Sequence, residues 1–229
     1  MSGPVPVALL NGMPADAEPS ALRALAQSNY GHFTALRVRD GAAQGLDLHL
    51  DRLRQGNAEL FGSAVDETAL RGWMRQAADA AGGDCSMRVV LFSRRFDHRH
   101  PEREVPVDVL VTAAAPMPAR TRAMRVRSCG FLRPLPHLKH IATFPLHYHR
   151  RQALLAGWDD ALFVDGEGDG ARVAEGSVWN IGFWDGAGIV WPQAPALRGT
   201  TERLLQDGLA ARGVAQAVRP VALAELARF

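Results

Sequence analysis

Residues 31–62 read GHFTALRVRDGAAQGLDLHLDRLRQGNAELFG. Over 31–39 apolar and polar residues alternate, the mark of a half-buried strand, and Asp40-Gly41 follows as a turn signal. From Leu46 the period changes. Leu48, Leu50, Leu53, Leu60 and Phe61 return at helical spacing until Gly62 stops the run. A strand, a tight turn and then an amphipathic helix predict a mixed fold.

The same signals continue on both sides. Residues 4–10 (PVPVALL) predict a strand closed by an Asn11-Gly12 hairpin turn. Asp66 predicts the cap of a second helix, with Leu70, Trp73, Met74 and Ala77 on one face and Gly82-Gly83 at its end. Two apolar strands are expected at 86–93 and 105–113, joined by the basic loop RRFDHRHPER, read as a solvated hairpin tip. After a Pro-containing polar stretch come a strand at 124–131, a helix from about Pro145 to Ala156, strands at 160–165 and VAEGS, a hairpin around Asp185-Gly186, and a helix from Thr200 to Ala211. The final stretch, VALAELARF, reads as a short helical piece whose Val221, Leu223, Leu226 and Phe229 would be left uncovered. Hairpins in both halves argue for an α+β protein of two lobes rather than a doubly wound parallel sheet. The expected division is a small lobe over 1–115, a linker over 116–122 and a larger lobe over 123–229.

Composition narrows the function. With 47% hydrophobic residues the chain has material for a real core, and no apolar run is long enough to span a membrane. The N-terminus lacks the pattern of a signal peptide, so a cytoplasmic protein is expected. A net charge of +2 without a basic stripe gives no indication of nucleic acid. Two cysteines, Cys85 and Cys129, show no disulfide or metal spacing, and the His98/His100 and His147/His149 pairs lack a carboxylate partner set, so no metal is expected.

Among 26 basic residues a single one is lysine, Lys139. Arginine dominance follows from base composition. Lysine, however, is irreplaceable where chemistry needs an amine that can lose its proton. Three further groups stand out, each with a bland alternative that remains open. Glu175-Gly176-Ser177 with Asn180 is either a hairpin cap or a carboxylate aimed at a ring nitrogen. Gly199-Thr200-Thr201 opens a helix, where free N–H groups and hydroxyls make an anion site, unless a threonine is simply the N-cap. His49 and Arg52 lie three apart on one helix face, which is either polar surface or a paired site.

In their order, His49-x-x-Arg52-Leu53, Lys139, Glu175-Gly176-Ser177-x-x-Asn180 and Gly199-Thr200-Thr201 resemble the class IV aminotransferases. That family includes branched-chain and D-amino acid aminotransferases and aminodeoxychorismate lyases, all pyridoxal 5'-phosphate enzymes. Tyr30-Gly31-His32-Phe33 resembles the family's opening motif. The resemblance implies a two-lobed fold-type IV protein with a small α/β lobe and a larger pseudo-barrel lobe, acting as a homodimer on a small amino acid and a 2-keto acid. It implies that Lys139 forms the Schiff base and that Glu175 faces the pyridine nitrogen. Arg52 would hold the phosphate together with the N–H groups of Thr200 and Thr201 after Gly199. Ser177 and Asn180 would shape the turn beside the ring.

The chain departs from the family at Phe144, where aminotransferases often carry a tyrosine, and at His32, where an acid is usual. Glu202 adds a negative charge beside the anion site, and the family's usual C-terminal segment is not apparent after Phe229. Lys139-His140 resembles the Lys-His pair of the lyases. An aminotransferase is therefore expected first, a lyase of the aminodeoxychorismate type second, and a non-catalytic or truncated relative that binds only a cofactor or partner third.

Overall fold

The computed structural model describes residues 6–118 and 120–229. The chain forms two compact units: residues up to Arg120 together with Lys139–Ala142, and Thr121–Leu138 together with Thr143–Phe229. Lys139 to Ala142 thus group with the first unit, although the sequence places them within the expected 123–229 lobe. Backbone bonds explain this. Phe33 N–H donates to the Lys139 carbonyl at 2.9 Å, and Ile141 N–H donates to the Gly31 carbonyl at 3.0 Å. His32 and His140 form an antiparallel bridge.

The first unit contains β1 (Val7–Leu10), β2 (Met13–Pro14), α1 (Pro19–Ser28), β3 (Gly31–Arg39), β4 (Ala42–Ala43), α2 (Leu46–Phe61), α3 (Glu67–Ala80), β5 (Cys85–Phe92) and β6 (Asp108–Ala114). The six strands make an antiparallel sheet in the order β2-β1-β6-β5-β3-β4. Pro4 and Val5, the expected start of β1, lie outside the described residues. Alternation sorts the sheet's side chains onto two faces. Leu36, Val38, Val89, Leu91 and Val111 pack with Leu50 and Leu53 of α2 and with Leu70 and Met74 of α3. Phe33, Val90 and Phe92 pack with Leu10 and Ala21 on another core that includes α1. Asp66 accepts from Ala69 N–H at 2.9 Å and starts α3, and Gly62 ends α2 in the left-handed conformation. The β5–β6 loop is more than a solvated tip. Arg94 bonds both Asp108 and Glu18, and Phe96 stacks on Tyr30 with centroids 4.1 Å apart.

The second unit contains β7 (Val126–Gly130), α4 (Phe144–Leu155), β8 (Asp160–Asp165), β9 (Arg172–Gly176), β10 (Phe183–Trp184), β11 (Gly188–Pro192), α5 (Thr200–Ala210) and β12 (Ala215–Arg219). They form two three-stranded sheets, β7-β8-β9 and β10-β11-β12, each with one parallel and one antiparallel pairing. Leu162, Val173, Val190 and Val221 make a core common to both. The final stretch corrects an expectation. Val221 is fully buried, and Leu223, Leu226 and Phe229 pack against this core as a 3-10 turn over Leu223–Arg228. Phe229 stacks on Phe183 at 4.8 Å. The sequence expectations do not include α1, β4 or β12. No helix of the described residues is long and apolar enough to cross a membrane.

Candidate active site

In the first unit the Lys139 side chain is half-buried, with Nζ 4.9 Å from the centre of the Phe33 ring. Arg88 of β5 shares that ring, its guanidinium carbon 3.6 Å from the centroid. Strand pairing explains the approach: Val90 is paired with Phe33 and Arg88 with Ala35, so Arg88 and Phe33 emerge on one face. Burial pushes the Arg88 pKa down, and no carboxylate pairs with it among the described residues. A half-buried guanidinium without a carboxylate partner is suited to a carboxylate ligand.

Thr34, next on β3, is buried, and its hydroxyl lies 2.7 Å from Nδ1 of His49, which is 5% exposed. His49 is therefore not part of a polar surface. Its pKa is lowered to about 4 by burial, then by the charges of Arg52 and Lys139. Arg52, three residues on, is half-buried. The first unit thus gathers Lys139, Arg88 and the charge-sensitive pair His49–Arg52 around one end of β3.

The second unit carries the remaining candidates. Glu175 is the penultimate residue of β9, its side chain 4% exposed, and Arg133 Nε donates to its Oε1 at 2.9 Å. Arg133 is itself only 3% exposed. A buried carboxylate needs such a partner, and the guanidinium supplies it. The turn after Glu175 is tightly held. Ser177 Oγ donates to Asp160 Oδ1 at 2.6 Å, and Trp179 Nε1 donates to Asp160 Oδ2 at 3.2 Å. Gly176 is required there because a Cβ would run into the Trp179 ring.

Asn180 Nδ2 donates to the Leu197 carbonyl at 2.7 Å, and a Cβ on Gly199 would collide with Asn180 Oδ1. Asn180 therefore clamps the segment leading into α5. Gly199, not a threonine, is the N-cap of that helix, and it offers no side chain to the first turn. The first intrahelical bond runs from Arg203 N–H to the Gly199 carbonyl at 3.1 Å, which leaves the N–H groups of Thr200, Thr201 and Glu202 without helical acceptors. Thr200 is buried and Thr201 exposed. Glu202 does not leave a bare negative charge at this end: Arg198 Nη1 donates to its Oε1 at 2.9 Å.

Two of these groups, Arg88 and Arg133, carry no signal in the sequence. Among the described residues no cluster of three potential metal ligands occurs.

The chain belongs to the class IV aminotransferase family, whose sequence model matches residues 31–229. Among solved structures it is similar to a 4-amino-4-deoxychorismate lyase from Pseudomonas aeruginosa, with 27% identity and a TM-score of 0.75 over 96% of this chain and 84% of the other. It also resembles the PLP-bound form of a hypothetical aminotransferase from Mycobacterium tuberculosis, with 24% identity and a TM-score of 0.73 over 88% and 75% of the two chains. A branched-chain amino acid aminotransferase from T.th., complexed with N-(5'-phosphopyridoxyl)-L-glutamate, shares the fold at 20% identity, with a TM-score of 0.81 over 96% and 78%. No curated protein sequence matches the chain.

Proposed function

We propose that this chain is a pyridoxal 5'-phosphate-dependent aminotransferase that moves an amino group between a small amino acid and a 2-keto acid. The observation that carries the reading is Glu175, a carboxylate buried to 4% exposure and given its charge partner by Arg133 at 2.9 Å. A protein maintains such a pair at a desolvation cost, and a protonated ring nitrogen is a fitting third member.

The donor set suits this cofactor. Lys139 offers the amine, Glu175 an acceptor for the ring N–H, and Arg52 a cation for the phosphate. Gly199 admits the Asn180 clamp that sets the start of α5, where Thr200 and Thr201 present free N–H groups and hydroxyls. When bound, the cofactor supplies a sink for the electron pair released at the substrate Cα. Lys139 Nζ would take the proton from that carbon and deliver it to the carbon that carried the cofactor's aldehyde, the shift that amino transfer requires. Ser177 holds the Glu175 turn on Asp160, and Asn180 holds the anion-binding end in place. Arg88 takes the substrate carboxylate. We place the enzyme in a homodimer, because Phe144, Tyr148 and Leu155 leave apolar surface exposed on α4.

Elimination of the aminodeoxychorismate lyase type is the second reading, favoured by Lys139-His140, by Phe144 and by the 27% identity to such a lyase. The visible spectrum of purified protein with added pyridoxal phosphate separates the readings. A transaminase is converted to the amine form of the cofactor by an amino acid alone and restored by a 2-keto acid. A lyase releases pyruvate from aminodeoxychorismate without that half-reaction. Failure to bind the cofactor would overturn both.

A further inference from the structure

The first unit has a cavity away from Lys139. It holds about 160 Å³ beside α3 and the β3–β4 edge of the sheet. Leu36, Val38, Met74 and Met87 wall it, and the short side chains of Ala43 and Ala78 leave its space open. A cavity of about 150 Å³ lined by apolar side chains admits benzene, so this one accepts a branched hydrocarbon of similar size. Two methionines in the wall can adapt to its shape.

Its mouth is polar in a specific way. Arg71 is engaged by Glu67 at 2.9 Å and by Asp47 at 3.3 Å. Arg75 and Asp79, also at the mouth, have no side-chain hydrogen bond or ion pair among the described residues. They stand one turn apart on α3, where neighbouring Cβ atoms are about 5–6 Å apart. One guanidinium and one carboxylate at that spacing match a ligand carrying a carboxylate and an ammonium on one carbon.

We propose that this cavity binds a free α-amino acid with an aliphatic side chain of leucine size. Its carboxylate meets Arg75, its ammonium meets Asp79, and its side chain fills the cavity. The site shares no residue with the candidate active site and does not rest on the proposed reaction.

Methionine-methyl NMR tests it on the full chain, because Met74 and Met87 report the cavity itself. L-leucine should shift both methyl resonances saturably. Arg75→Gln and Asp79→Asn, at exposed positions, should each weaken binding by about fivefold or more, the loss of one charge-assisted hydrogen bond. The probes 4-methylpentanoate and 3-methylbutylamine, each lacking one charge, should bind correspondingly more weakly. Ala78→Leu should abolish the shifts by filling the cavity. Unmoved Met74 and Met87 signals, or leucine binding unaffected by the Arg75 and Asp79 changes, would overturn the proposal. So would 4-methylpentanoate binding as tightly as leucine.

Discussion

Arg133→Met removes one partner of a buried pair while keeping an extended side chain in its place. Arg133 Nε and Glu175 Oε1 are 2.9 Å apart, with side chains 3% and 4% exposed. Two charges about 4 Å apart at an effective dielectric near 20 interact by about 4 kcal/mol. Breaking such a pair typically costs about 3–5 kcal/mol, because the remaining buried charge loses that compensation. That is a large part of a stability margin of about 5–15 kcal/mol. At about 2–4 °C per kcal/mol for a domain of this size, the melting temperature should fall by roughly 6–20 °C. Adding Glu175→Gln to Arg133→Met removes the remaining charge and should restore about 2 kcal/mol or more. Urea unfolding of all four proteins of the cycle measures the coupling. Four of the five tryptophans, Trp158, Trp179, Trp184 and Trp191, lie in the unit that holds the pair, so fluorescence reports that unit. A cost under about 1 kcal/mol for Arg133→Met, or two changes that simply add, would refute the reasoning.

Glu175→Gln should retain cofactor but lose turnover on the order of 10²-fold, since a neutral amide stabilises the developing charge less; steady-state kinetics with saturating cofactor decides, and near-normal turnover would make Glu175 a structural cap. Gly199→Ala forces Asn180 away from the start of α5 and should raise the dissociation constant for pyridoxal phosphate about tenfold, seen by spectroscopic titration. Stability should fall on mild acidification. His32 and His49 have pKa values lowered to about 4, mainly by burial, while the unfolded chain takes up protons near 6.5. Between these values the unfolded state binds more protons, so each histidine withdraws on the order of 3 kcal/mol as pH falls from about 6.5 to 4. Melting temperatures across that range check this, and His49→Gln should flatten the slope.

Legibility in the sequence follows the range of the forces involved. β3, α2 and α3 announce themselves because their turns and caps, Asp40-Gly41, Gly62 and Asp66, act within a few residues. α1 starts at Pro19 and turns Ala21, Leu22 and Leu25 toward the core at helical spacing, a signal present in the sequence but not used in the expectations above. β12 (AQAVR) is an edge strand with mostly exposed side chains, so nothing forces alternation on it. The candidate site divides the same way. Lys139, Glu175 and the Gly199-Thr200-Thr201 segment are visible as local motifs. The Arg133–Glu175 pair spans 42 residues and arises only once β9 is folded. His49 reads equally well as surface because a hydrophobic pattern counts histidine as polar, whereas Thr34 on β3 satisfies its ring inside the core.

The central claim is that Lys139 carries the cofactor covalently. The most direct measurement is borohydride reduction of the purified protein with pyridoxal phosphate, followed by peptide mass mapping. The reductant fixes a carbon–nitrogen double bond between an amine and the cofactor aldehyde. The account predicts one phosphopyridoxyl group per chain, on the peptide containing Lys139, and its loss in Lys139→Arg, because arginine stays charged and is a poor nucleophile. Label absent from that peptide, or undiminished label in Lys139→Arg, would contradict it.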